Sequence, residues 1–308
     1  MTTDSELHSL VQLLDDSDPE VVEIVESRLL FKGYEILSQL EDLWLHGTFP
    51  DHAGLLEDII QKIQFQKLSQ DIIHWKEEPS KTDFQAWILA TRIQFPGLTE
   101  GMMLAHLNQL RIDAWVKLSK VRNPLDQIQI LNHLFFEIYQ FKGNSNNYHS
   151  PDNSLVNRVL ETKMGNPISL AVLYSTVAKA LGIPVFGVNL PQHFVLAYCR
   201  MNAEPNWDGV YNQYELKIQE VKSVLFYINP FSKGQIFSVD SIDAFLKTIK
   251  VEPESSYYQP CDSEQILIRM YRNLYHAYDK SFDFIKKEQV KELLSIFKIN
   301  MESNDLDE

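Results

Sequence analysis

The residues whose types and spacing fit acyl-transfer chemistry lie between positions 165 and 231. A helix is expected to open after Gly165-Asn166, one strand begins at His193, and another ends at Asn229-Pro230-Phe231. A thiol enzyme needs a helix N-terminus, which lowers the pKa of a thiol through its dipole and free N–H groups. A histidine must reach the sulfur from another element, and an Asp or Asn must hold its tautomer. The three elements fit this arrangement in order, but no cysteine stands at the helix start.

Local patterns position these residues on one helix and three strands. Pro167 opens a helix that is expected to run to Leu181, with Gly182 as its C-cap. Three segments have the apolar pattern of strands: Val185–Leu190, His193–Tyr198 and Val224–Ile228. Residues 142–153 are rich in Asn, Ser and Gly and predict a loop. The pattern of residues 202–222 does not fix its structure, and it leaves open whether that segment covers a cleft formed by these elements.

Most of the remaining chain has the spacing of amphipathic helices. Apolar side chains recur three and four positions apart through the first 140 residues, and again in two helices within residues 263–300. The chain is therefore expected to be α+β and predominantly helical. Three parts are predicted: an N-terminal helical region at 1–78, a core at 79–252 and a C-terminal helical pair at 253–308. A single helix pair cannot bury both of its faces, so it should dock on the rest of the chain or on something else.

Charge and composition exclude several classes of function. The net charge is −14 and the pI is about 5.1, so the mean field repels a phosphate backbone and nucleic acid is not an expected partner. The sequence has no apolar run of 18 residues, so it predicts no membrane span. The first six residues lack the basic start and apolar stretch of a signal peptide. These features predict a cytoplasmic protein, and they leave its oligomeric state open.

Metal and cofactor chemistry have no signal in the chain. Cys199 and Cys261 form no CxxC pair and have no histidine at zinc-ligand spacing. Cys199 lies six residues beyond His193, so an extended strand would place both on one face but far apart. No HExxH motif and no glycine-rich phosphate loop occurs. We therefore expect no metal and no cofactor, and both cysteines to be ordinary thiols.

Several motifs in combination resemble a known family. They are Gly165 to Ala171, Ala180-Leu181-Gly182-Ile183-Pro184, Gly187-Val188-Asn189-x-Pro191-x-His193-Phe194, Asn229-Pro230-Phe231, the N-terminal stretch Leu13 to Val21 and the stretch Ile266 to Leu274. Together these resemble the divergent transglutaminase-like core family, whose bacterial members carry C-terminal TPR-like helices and which has a related domain in a eukaryotic F-box protein. The resemblance implies a papain-like core, with a helix packed on a small antiparallel sheet.

The resemblance also implies where a catalytic triad would lie. Active relatives use Cys, His and Asp in chain order, and these map to Pro167, His193 and Asn229. Pro167 cannot be a nucleophile. Ser169 is the nearest replacement, but it lies about 200° around the helix from position 167, and a first-turn serine more often caps backbone N–H groups. Asn229 can orient a histidine, but it lacks the negative charge of an Asp.

Two functions are consistent with these residues. In the first, the chain is a non-catalytic transglutaminase-like protein that holds a protein or peptide partner as an interaction or regulatory module. In the second, it is a hydrolase or acyl-transfer enzyme in which His193 is the base, Asn229 the orienter, and Ser169 or an activated water the nucleophile. The lost cysteine favours the first.

Overall fold

The computed structural model describes residues 4–47, 53–202 and 216–301. The chain divides into two compact units, Met1–Glu77 and Glu78–Glu308. Most of the segment 202–222, including Trp207 and Tyr211, lies outside the described residues.

The first unit consists of helices around a core of its own. The helices are α1 (Asp4–Gln12), α2 (Pro19–Lys32), α3 (Leu37–Leu45) and α4 (Ala53–Glu77). Asp18 caps α2 by accepting the backbone N–H of Glu20, and Pro19 suits the next position because a first-turn N–H has no partner within the helix. The core contains Leu7, Leu10, Val11, Leu14, Val25, Leu29, Ile36, Leu37, Leu40, Leu56, Ile59, Ile60 and Ile63. The helical periodicity predicted for this region is confirmed.

The second unit combines helices with two small sheets. Its described helices are α5 (Asp83–Thr91), α6 (Glu100–Leu118), α7 (Pro124–Asn132), α8 (Val156–Thr162), α9 (Pro167–Ala180), α10 (Val239–Ile249), α11 (Ser263–Lys280) and α12 (Phe284–Ser295). Strands β1 (Lys142–Gly143) and β2 (Met164–Gly165) pair in parallel. Strands β3 (Val185–Leu190), β4 (His193–Met201), β5 (Val221–Asn229) and β6 (Gln235–Phe237) form an antiparallel sheet in chain order. The α+β, predominantly helical fold is therefore confirmed.

One face of the four-stranded sheet packs against α10. Side chains alternate along a strand, so Val188, Val195 and Ala197 point to the same side. They form an apolar cluster with Ile242 and Leu246 of α10. This cluster is the apolar core between the sheet and α10.

The opposite face packs against α7 and α9. Tyr198 alternates with Ala197, and its hydroxyl donates to Gln127 Oε1 of α7 at 2.7 Å. On α9, the Tyr174 hydroxyl donates to Asn132 Oδ1, at the end of the same α7, at 2.9 Å. Because α9 also packs on β3 and β4, it lies against the face that α10 does not cover. The helix on an antiparallel sheet that the family resemblance implies is present.

The C-terminal helices belong to the second unit and dock on its other helices. Ser263 opens α11, and its hydroxyl donates to Asp83 Oδ1 of α5 at 2.7 Å. Lys179 of α9 donates to the other oxygen of that carboxylate at 2.6 Å. The Tyr271 hydroxyl donates to the Leu89 carbonyl at 3.3 Å. The buried carboxylate of Asp83 thus joins α5, α9 and α11.

Candidate functional site

The N-terminus of α9 is where the family resemblance predicts the nucleophile position. Pro167 is the first helical residue and is buried, and Asn166 is the N-cap. Asn166 Oδ1 accepts the backbone N–H of Ser169 at 2.9 Å, and Ser169 Oγ accepts the backbone N–H of Asn166 at 3.0 Å. This reciprocal pair is a capping box, which uses donors that would otherwise be free to bind an anion.

The Ser169 side chain is fixed in that cap by its hydrogen bonds and by burial. Its side chain is fully buried, and its hydroxyl donates to the Asn166 carbonyl at 3.1 Å while accepting the N–H of the same residue. A Cβ at Gly165 would lie 2.5 Å from Ser169 Oγ, so a side chain there would displace the hydroxyl. The glycine of this motif is therefore explained by the close approach of the capping serine.

The segment before α8 adds further hydrogen bonds to the start of α9. Asn166 Nδ2 donates to Ser154 Oγ at 2.8 Å, and Trp87 Nε1 donates to the Ser154 carbonyl at 2.6 Å. Asn153 Nδ2 donates to the carbonyls of Asn147 and Tyr148 at 2.7 and 2.9 Å. The segment predicted as a loop thus begins with β1 and ends in a 3-10 turn at Pro151–Ser154, and the Asn153 carbonyl accepts the backbone N–H of Asn166.

His193 is the first residue of β4 and lies on the α10 side of the sheet. It pairs with Leu190 of β3, and its ring stacks on the ring of Phe245 of α10 with centroids 5.6 Å apart. Burial lowers the pKa of His193, the charge of Arg269 lowers it further, and a hydrogen bond with the Gln192 backbone opposes them. The imidazole is therefore neutral near pH 7.

Asn229 ends β5 and caps the turn that follows it. Its Oδ1 accepts the backbone N–H groups of Phe231 and Ser232 at 3.1 and 3.3 Å, which starts a short 3-10 turn. Among the described residues, no hydrogen bond joins the Asn229 side chain to the His193 ring. The side chain expected to orient the histidine thus serves its own turn.

The structure places the start of α9 and the His193 ring on different faces of the sheet. Pro167 and Ser169 lie at the start of α9, which packs on one face of the sheet. The His193 ring lies against Phe245 of α10, on the other face. A nucleophile at the start of α9 and the imidazole would therefore have the sheet between them.

The thiols offer no replacement nucleophile. Cys199 is buried in the cluster under α10, on the same face of β4 as His193, as its even spacing predicts. Burial raises the pKa of Cys199 to about 12. Cys261 is also free and buried, and its pKa is raised by the same cause. Both thiols are therefore protonated at neutral pH, and a protonated thiol is a poor nucleophile.

Comparison with known proteins identifies the family. A model of the transglutaminase-like superfamily matches residues 102–272. The chain belongs to the transglutaminase-like superfamily. The matched residues span α6 to α11 and so include the sheet and the start of α9.

Relatives of this transglutaminase-like chain come from bacteria and mammals. A UPF0162 protein of Xylella fastidiosa is 27% identical over 204 residues, which is 62% of this chain and 63% of that protein. F-box only protein 21 of mouse and of human are each 29% identical over 147 residues, which is 48% of this chain and 21% of theirs. The chain thus spans less than two thirds of the length of these relatives. No solved structure matches it.

The family motif Gly187 to Phe194 has a packing role in this transglutaminase-like chain. A Cβ at Gly187 would lie 2.7 Å from the ring of Phe194 on the neighbouring strand and 3.4 Å from Ile266 of α11. The aromatic ring fills the place of the missing side chain. Glycine and phenylalanine therefore occur together here because their strands touch at this point.

Asn166, which contacts Ser169, can be predicted from the sequence, whereas Phe245, which contacts His193, cannot. An Asn before a helical proline and a Ser three residues later form the spacing of a capping box, so Asn166 can be found from the sequence. Nothing local points to Phe245, because its position depends on how α10 folds back over the sheet.

Among the described residues, no three His, Cys, Asp or Glu side chains converge as metal ligands. No helix in the described ranges is long and apolar enough to cross a membrane.

Proposed function

We propose that this transglutaminase-like chain is non-catalytic and acts as an interaction or regulatory module for a protein or peptide partner. The position of His193 carries the proposal. Its ring packs on Phe245 under α10, whereas the start of α9 lies on the other side of the sheet. A base and a nucleophile must come within hydrogen-bond reach to act together.

The capping role of Ser169 supports the same function. To attack a substrate, its hydroxyl would have to leave two hydrogen bonds with Asn166 and a fully buried site. Breaking the cap would also free the backbone donors that hold the first turn of α9. Catalysis by Ser169 would therefore require the helix start to rearrange.

A water activated by His193 is the remaining form of the enzyme hypothesis. The lowered pKa of His193 keeps the imidazole neutral, as a general base requires. The half-buried ring, however, faces an aromatic side chain, and Asn229 is committed to its own turn. Asn229 therefore does not orient the base, and the hydrogen bond that His193 makes is with the Gln192 backbone.

Assays of turnover test this proposal directly. The wild-type protein, His193→Ala and the control His106→Ala would be assayed for ester hydrolysis and for amine incorporation into casein. His106 is an exposed histidine on α6, so its loss controls for a general effect of removing an imidazole. We expect all three proteins to match the buffer. Turnover that His193→Ala abolishes and His106→Ala retains would refute the non-catalytic function.

A further inference from the structure

The turn between α11 and α12 presents three large apolar side chains to solvent. Phe282 is 77% exposed, Phe284 is 58% exposed and Ile285 is 73% exposed. The two phenylalanine rings meet edge to face with centroids 6.2 Å apart. We call these three residues the α11–α12 knob. Contiguous exposed apolar side chains of this kind are typical of interaction sites.

Phe282 occupies a backbone position that favours glycine. Its φ is +60°, in the left-handed region. The turn has the hydrogen bonds of a Schellman cap, with Phe282 N–H donating to the Asp279 carbonyl and Asp283 N–H donating to the Tyr278 carbonyl. A phenylalanine here strains the backbone, and its exposed ring gains little from burial. The ring contacts Phe284 but is mostly exposed, so burial contributes little to keeping a phenylalanine here, and the side chain is available for binding.

A cleft of about 240 Å³ opens beside the knob. Ser281 and Asp283 of the same turn form one wall, and Phe95, Asp152 and Arg158 contribute to the others. The cleft is thus partly aromatic and partly charged, and it shares its rim with the knob. A single extended segment could reach both.

The charges of the cleft favour a cationic group. Arg158 stacks over the ring of Phe95 at 5.4 Å, donates to Glu161 at 3.0 Å and lies 3.8 Å from Asp152. The close ion pair with Glu161, which lies outside the cleft, therefore balances the charge of Arg158. Asp152 and Asp283 then leave the cleft negative, in a chain whose net charge is −14. Such a field attracts Lys or Arg side chains.

We propose that the knob and the cleft together bind an extended peptide segment of a partner protein that combines apolar residues with Lys or Arg. The apolar residues pack on Phe282, Phe284 and Ile285, and a basic side chain enters the cleft beside Asp152. This surface assignment rests on the proposed function, because it names where an interaction module would hold its partner and what chemistry that partner has.

Fluorescence anisotropy with three labelled ten-residue peptides tests the surface. One peptide alternates Leu and Lys, one alternates Leu and Glu, and one alternates Ser and Lys. We expect only the Leu–Lys peptide to bind, and its affinity to fall as salt is added. Phe282→Asn and Asp152→Asn should each weaken binding about tenfold. Phe31→Ala, which removes a 93% exposed phenylalanine of α2, should leave the affinity unchanged.

The variants are chosen so that folding does not confuse the result. Asn tolerates the left-handed region, so Phe282→Asn should unfold at the same temperature as the wild type or higher. Equal binding of the Leu–Glu peptide, no binding of the Leu–Lys peptide, or unchanged affinity in Phe282→Asn would overturn the assignment. These outcomes leave the non-catalytic function standing, since only turnover that depends on His193 contradicts that.

Discussion

Replacing Ser169 by Ala separates a capping residue from a nucleophile. The change removes the Oγ that accepts the Asn166 N–H at 3.0 Å and donates to its carbonyl at 3.1 Å, in a fully buried site. The Asn166 N–H keeps one longer contact, 3.3 Å to the Asn153 carbonyl, so it is not left entirely unpaired. A lost helix cap and a weakened buried hydrogen bond together predict a loss of about 1–2 kcal/mol in the free energy of unfolding.

Ser175→Ala is the matched control on the same helix. Ser175 is also buried, but its hydroxyl donates only to the Val172 carbonyl, three residues earlier, at 3.2 Å. Alanine is a better helix former than serine, which offsets part of that loss. We therefore expect the free energy of unfolding to change by about 0.5 kcal/mol or less.

Urea unfolding followed by far-UV circular dichroism measures both variants. For a unit of this size, the same loss would lower the Tm of Ser169→Ala in thermal unfolding by about 2–8 °C. Equal stability of Ser169→Ala and Ser175→Ala would refute the capping argument. If Ser169→Ala kept its stability and lost a turnover that Ser175→Ala retains, Ser169 would be a nucleophile instead.

Three further changes test the arrangement around the sheet. Pro167→Cys should give a thiol that reacts slowly with Ellman's reagent and supports no acyl transfer, because position 167 is buried and the His193 ring packs against α10 rather than α9; fast labelling with turnover would contradict this. Gly187→Ala should destabilise the protein by about 1–3 kcal/mol, because its methyl group meets the Phe194 ring, and Phe194→Leu in the same chain should recover part of the loss. The lowered folded-state pKa of His193 means that the unfolded chain binds the proton more readily, so stability should fall as the pH falls through about 6.5. Urea unfolding between pH 5 and 8 should show a shallower pH dependence in His193→Asn than in the wild type, and equal slopes would contradict the shift.

Much of the fold follows from local patterns. The helix expected from Pro167 to Leu181 ends one residue earlier, at Ala180, and the strands predicted to begin at Val185 and His193 begin there. Pro167 after Asn166 specifies a helix start because both residues suit unpaired first-turn donors. The short strands are harder to read. β6 and the pairing of β1 with β2 span two or three residues each, and they form because distant segments meet.

The residues of the candidate site could be named from the sequence, but their roles could not. The position of Asn166 three residues before Ser169 indicates a cap, and the structure has that cap. Asn229 before Pro230 fits either a turn residue or a partner of histidine, and its contacts are with the turn. A short polar side chain can satisfy its nearest backbone donors or reach a distant group, and only the folded chain decides which is closer.

The sequence by itself determined the family motifs, the helices and strands, the proline at position 167 and the negative charge. These features depend on residue identity and on periodicities of two and 3.6 residues, which act within one element. Only the tertiary structure decided that His193 faces Phe245 and that the knob stays exposed beside a cleft. Alternation along a strand groups side chains by face, but the packing of α9 and α10 determines what each face meets. That packing buries apolar surface between segments far apart in the chain, so no local pattern records it.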